Sequence, residues 1–133
     1  MQIEFIIPGE IRGKERPRAG KYNFYTPRST EEFECYVRQC YVQAVGKTFF
    51  RGPVQVHITV YRKIPKSWSR KRRDAAVDQP CITKPDADNV IKSILDALNG
   101  TAYQDDAAVY SVTCEKLYTA GYEHALVSLE GMV

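Results

Sequence analysis

Lys84-Pro-Asp-Ala-Asp-Asn-Val-Ile-Lys-Ser-Ile-Leu-Asp-Ala-Leu-Asn-Gly100 combines a clear helical period with an unusual density of aspartate. Val90, Ile91, Ile94, Leu95 and Leu98 fall on one face, which predicts a helix over Asp86–Asn99 packed against a core. Pro85 disfavours helix at Lys84 and permits it just afterwards, so Asp86 and Asp88 stand at the helix mouth. Asn99-Gly100 is a stop signal, because both residues tolerate the left-handed conformation. Asp88, Lys92 and Asp96 follow at i, i+4 and i+8 and form a polar stripe opposite the apolar face.

Working outward, Val54-Gln-Val-His-Ile-Thr-Val60 alternates with period two and predicts a strand with one buried face. Gln2–Ile7 reads as a short strand. Val109–Tyr118 and His124–Glu130 read as a closing pair of strands joined through Ala120-Gly121. A second helix begins at Ser29 or Thr30, where Glu31 and Glu32 suit the positive end of the helix dipole. It carries Phe33, Val37, Cys40, Tyr41 and Ala44 on its apolar face and ends at Gly46. The expected architecture is α+β: one domain spanning 1–133, with a mixed sheet of about four strands packed against two main helices.

The segment Pro8–Arg28 has no apolar period, and a loop of this length is usually functional or disordered. Lys14, Arg16 and Arg18 lie in it, with Tyr22, Phe24 and Tyr25 among its cations. A second basic cluster, Arg70-Lys71-Arg72-Arg73, follows Trp68 and has room for a short helix. The net charge of +3 diagnoses no partner, but two basic segments with interleaved aromatics suit a phosphate backbone. The plain alternative is a pair of solvated faces. Trp68 is better read as a loop anchor than as a base-stacking group, and His57 and His124 as structural.

Hard divalent cations take oxygen ligands, and Mg²⁺ is typically held by one or two carboxylates with phosphates and waters. Asp86 and Asp88 supply such a pair, and Asp105 or Asp106 completes it if the chain after Gly100 folds back over the helix start. The competing reading makes Asp86 and Asp88 caps and Asp105-Asp106 a polar turn. A calcium-binding EF-hand is excluded, since its glycine and late glutamate are missing.

The apolar runs are too short to span a bilayer, and the first residues lack the basic start of a secretory leader. Cys35, Cys40, Cys81 and Cys114 form no C-x-x-C pair and read as buried free thiols of a reducing compartment. A cytoplasmic protein with no membrane partner is expected.

Lys84-Pro-Asp-Ala-Asp-Asn89, Lys92, Asp96-Ala-Leu-Asn-Gly100 and Asp105-Asp-Ala-Ala-Val109 together resemble the RusA family of Holliday junction resolvases. Gly13-Lys-Glu-Arg-Pro-Arg18 and Tyr25-Thr-Pro-Arg28 are similar to its phage and Gram-positive branch. The resemblance implies that Asp86, Asp88 and Asp106 are catalytic ligands of Mg²⁺, with Mn²⁺ as its substitute, and that Lys92 is the essential lysine. It also implies a homodimer that nicks two strands of a four-way DNA junction, leaving 5′-phosphate and 3′-hydroxyl ends. Pro85 departs from the branch that has arginine before the first aspartate, so Lys84 or the Arg70–Arg73 cluster must supply that contact. Two alternatives stand beside this reading: a nuclease for flaps or other branched DNA, and a module that binds branched DNA without cleaving it.

Overall fold

A computed structural model describes residues 1–14, 18–19, 24–25 and 28–133. The chain runs β1 (Gln2–Pro8), β2 (Arg18–Ala19), β3 (Phe24–Tyr25), α1 (Arg28–Val45), β4 (Val54–Lys63), α2 (Arg70–Ala76), α3 (Ala87–Ala97), a 3₁₀ turn (Asp106–Ala108), β5 (Val109–Thr119) and β6 (His124–Gly131). The α+β architecture expected from the sequence is therefore present. The segment read as an irregular loop contains the small β2–β3 pair, and the short helix near the second basic cluster is α2.

The main sheet has the order β1-β6-β4-β5. The pairs β1–β6 and β6–β4 are antiparallel, and β4–β5 is parallel. This corrects the expectation that β5 and β6 close the fold as a pair: β6 crosses past β4 and inserts between β4 and β1. Burial explains the order. Ala125, Val127 and Leu129 of β6 are fully buried, as are Val54, Ile58 and Val60 of β4. Val109, Val112 and Cys114 of β5 are only partly so, and that suits an edge. A parallel pair needs a long crossover, here supplied by the stretch that carries α2 and α3. The crossover also braces β5 from outside, where the N–H of Tyr118 donates to the carbonyl of Gln79 at 2.9 Å and the N–H of Cys81 donates to that of Lys116 at 2.8 Å.

One face of the sheet forms the core. Ile3, Phe5 and Ile7 lie opposite Leu129, Val127 and Ala125 in register, and these lie opposite Val56, Ile58 and Val60. Onto this layer α1 sets Phe33, Val37 and Tyr41, and α3 sets Val90, Ile94 and Leu95. Tyr41 meets Phe5 edge-on at 5.3 Å. Ala44, expected on the buried stripe of α1, is exposed, because the helix is about to leave the core at Gly46, which takes a positive φ of 65°.

The four cysteines are free, but only Cys81 is buried; Cys40 and Cys114 are half-buried, and Cys35 is exposed on α1. Trp68 packs edge-on against Tyr118 and carries the Arg72 guanidinium 3.6 Å from its ring centre, an anchor geometry. His124 stacks on Tyr61, and His57 pairs with Thr113 on the uncovered face of the sheet. No helix among the described residues is long and apolar enough to cross a membrane.

Candidate active site

The acidic residues collect where α3 begins and where the chain turns into β5. Three contacts from distant parts of the chain shape the approach to α3. Lys116 of β5 donates its ammonium to the carbonyls of Thr83 at 2.6 Å and Pro85 at 2.8 Å. The backbone N–H of Lys14 donates to the carbonyl of Asn89 at 3.0 Å. Gly13 lies so close that a Cβ there would sit 3.0 Å from the Cβ atoms of both Asn89 and Pro85.

Asp86 occupies the N-cap position with extended backbone, and its carbonyl accepts the first helical bond, from Val90. Its carboxylate makes no capping hydrogen bond. It accepts instead from Lys84 at 2.7 Å, and that bond with its charge attraction holds the carboxyl below its usual range. The capping reading of Asp86 thus lacks the bond that would define it. Asp88 stands exposed in the first turn of α3.

One turn on, Lys92 reaches Asp96 at 3.0 Å and Asp106 at 3.5 Å. Hydrogen bonding to Asp96 raises the Lys92 pKa despite some desolvation. Asp106 arrives there because the chain reverses after α3. Gly100 adopts φ 77° and donates to the carbonyl of Tyr103 at 2.7 Å. The buried Tyr103 hydroxyl then donates back to the Leu95 carbonyl at 2.8 Å. Of the two adjacent aspartates, Asp105 caps the 3₁₀ turn by accepting from the N–H of Ala107 at 3.0 Å. Asp106 is the one directed at α3.

Asp106 therefore joins the stripe of Asp88, Lys92 and Asp96, while Asp86 lies at its head, turned towards Lys84. Among the described residues no three acidic, histidine or cysteine side chains are grouped so as to hold a metal ion. Asp86, Asp88 and Asp106 offer carboxylate oxygens, the donor type that a hard cation takes, and Asp86 and Asp106 each face an ammonium.

The basic residues divide. Lys14, expected to contact DNA, is enclosed instead, its ammonium 2.9 Å from Glu34 and 3.2 Å from Asp96, where it ties α1 to α3. Arg70 and Arg73 line an open cleft with Lys63 and Thr119, Arg72 lies over Trp68, and Lys71 is exposed on α2. Arg16 and the side chain of Arg18 lie outside the described residues. Sequence reasoning assigned no role to Lys116 or Gly13. A lysine in an alternating strand carries no local mark of the carbonyls it will meet, whereas the glycine was visible only as part of a motif.

Asp86 and Asp88 at the mouth of α3, the Lys92–Asp106 pair one turn on and the basic flank of α2 together form the candidate site. The RusA endodeoxyribonuclease family profile matches residues 8–130. A protein of Bacillus subtilis (strain 168), named "Uncharacterized protein YqaN", is 34% identical over 125 residues, which cover 88% of each chain. The chain belongs to the RusA family. Members are endodeoxyribonucleases that resolve Holliday junctions; they bind branched DNA and generally depend on a divalent metal.

Proposed function

We propose that this chain resolves four-way DNA junctions by paired, symmetric nicks, with Mg²⁺ held by Asp86, Asp88 and Asp106 and two copies of the chain acting together. The observation that carries the reading is the division of labour after Gly100: Asp105 is spent on its own turn, and Asp106 is brought to Lys92 on the stripe of Asp88. When bound, such a cation lowers the pKa of water and neutralises charge on the phosphodiester. Asp86, Asp88 and Asp106 supply the oxygen donors that keep it in place, and Mn²⁺ satisfies the same set.

Lys92 presents its ammonium beside these donors, where it orients a phosphate and offsets negative charge as the bond breaks. Lys84 is mostly exposed and can exchange Asp86 for a DNA phosphate. Arg70, Lys71 and Arg73 offer positive charge to the DNA backbone, and Arg16 and Arg18 are further candidates for phosphate contact on their charge alone. Lys14 is better suited to bracing the site than to touching DNA. A homodimer follows from the count of sites: one copy offers one acidic set, and a junction with two equivalent strands needs two.

The test is cleavage of synthetic four-way junctions, flaps and linear duplexes with Mg²⁺ and with chelator, alongside sedimentation. The reading requires symmetric nicks on junctions, their loss on chelation, and a dimer at micromolar concentration. Binding without cleavage would establish the non-catalytic module, and equal cutting of flaps a broader nuclease. A monomer in both free and junction-bound states would contradict paired nicking.

A further inference from the structure

Asp96 sits between two ammonium groups and uses a different carboxylate oxygen for each. Its Oδ2 lies 3.2 Å from Lys14 and its Oδ1 lies 3.0 Å from Lys92. Lys14 is also fixed to Glu34 of α1 at 2.9 Å. Lys92 reaches on to Asp106 at the longer distance of 3.5 Å. Charges thus alternate along one continuous line: Glu34, Lys14, Asp96, Lys92, Asp106. The two ends of the line differ in freedom. Lys14, Glu34 and Asp96 are each less than one-fifth exposed, whereas the Lys92 side chain is 57% exposed on a flexible stem. The carboxylates around Lys92 therefore decide where its ammonium rests.

We infer that Asp96 is a positioning residue that holds Lys92 back from Asp106, so that Asp106 stays open to a cation. The inference rests on the reading of Asp106 as a metal ligand. An ammonium and a divalent cation compete for the same carboxylate. Remove the charge of Asp96, and Asp106 becomes the remaining partner that the structure shows for Lys92. The lysine then closes on Asp106 and opposes the metal. Lys14 has the opposite influence, since it shares Asp96 with Lys92; without Lys14, the whole charge of Asp96 acts on Lys92.

Mn²⁺ titration of the full-length, DNA-free protein, followed by electron paramagnetic resonance, tests this without relying on cleavage. Asp96→Asn should weaken Mn²⁺ binding roughly fivefold, the upper range of a partly exposed ion pair. Lys92→Met should bind Mn²⁺ at least as tightly as wild type, and adding Asp96→Asn to it should change nothing further. Lys14→Met should bind no more weakly than wild type, even where it lowers the melting temperature. A merely structural Asp96 would shift melting and leave Mn²⁺ affinity alone.

Unchanged affinity in Asp96→Asn would overturn the inference, as would an equal loss in the Lys92→Met background, which would make the effect a general one of charge. Should Asp96→Asn fail to fold, Lys92→Met still decides, because weaker Mn²⁺ binding there contradicts the competition. A wild-type protein that does not bind Mn²⁺ would instead remove the proposed ligand set, and this inference with it.

Discussion

Replacing Gly13 by Ala tests whether the N-terminal segment is part of the active-site frame. The added Cβ would lie 3.0 Å from the Cβ of Asn89 and 3.0 Å from that of Pro85. Ordinary carbon contacts begin several tenths of an ångström further out. Neither neighbour can rotate away, because a Cβ moves only with its backbone. The segment must lift, or the opening turn of α3 must shift. Lifting strains the Lys14 N–H to Asn89 carbonyl bond of 3.0 Å. Overpacking of this kind costs about 1–3 kcal/mol, which for a chain of this size lowers the melting temperature by roughly 3–10 °C. A displacement of a few tenths of an ångström at Asp86 and Asp88 should also slow cleavage by about tenfold, since catalytic geometry is steep in distance. Single-turnover cleavage and thermal melting of the same preparation, with junction affinity measured in chelator, separate these effects. Wild-type melting and wild-type cleavage in Gly13→Ala would refute the role of this glycine in the frame.

Two further expectations come from the charged groups. Double replacement of Arg70 and Arg73 by Ala should flatten the log–log salt dependence of junction binding by about 0.9 for each duplex phosphate that the protein no longer neutralises; an unchanged slope would make the α2 cleft an ordinary solvated surface. Burial disfavours the charged form of Lys14, but hydrogen bonds and attraction from Glu34 and Asp96 outweigh it and raise its pKa above the ordinary 10.5. A raised folded value means that this stabilisation is complete below the unfolded pKa and fades as pH rises through the folded one. Melting of wild type and Lys14→Met should therefore differ at neutral pH and converge in strong alkali, and a constant gap would show that the ion pairs do not stabilise the fold.

Local structure was legible wherever periodicity and termination agreed. The helix expected over Asp86–Asn99 is observed over Ala87–Ala97 with Asp86 as N-cap, because its apolar spacing is regular and Asn99-Gly100 can turn. The strand around Val54–Val60 was visible in its alternation but runs on to Lys63. Strand order was not legible. It depends on the relative burial of β5 and β6, and both alternate in much the same way in sequence. The acidic residues were marked by their density and spacing, and the choice between Asp105 and Asp106 became physical only once the Ala107 N–H was seen to engage Asp105. The ion pairs of Lys14 were not legible, because a cation in a segment rich in glycine and proline looks solvated. Its partners, Glu34 and Asp96, come from two different helices. Lys116 could not have been singled out, since it meets backbone carbonyls, which every residue has.

The most direct measurement of the central claim compares binding and cleavage in Asp86→Asn. Asn keeps the size of the side chain and suits an N-cap position as well as Asp, and the Asp86 carboxylate makes no capping bond to lose. The substitution removes a charged oxygen donor, so cleavage of a four-way junction with Mg²⁺ should fall on the order of a hundredfold or more. Junction affinity in chelator should be kept or improved, because a carboxylate that repels phosphate has gone, and the melting temperature should stay close to wild type. Cleavage at the wild-type rate by a folded, junction-binding Asp86→Asn protein would contradict the acidic site proposed for this chain.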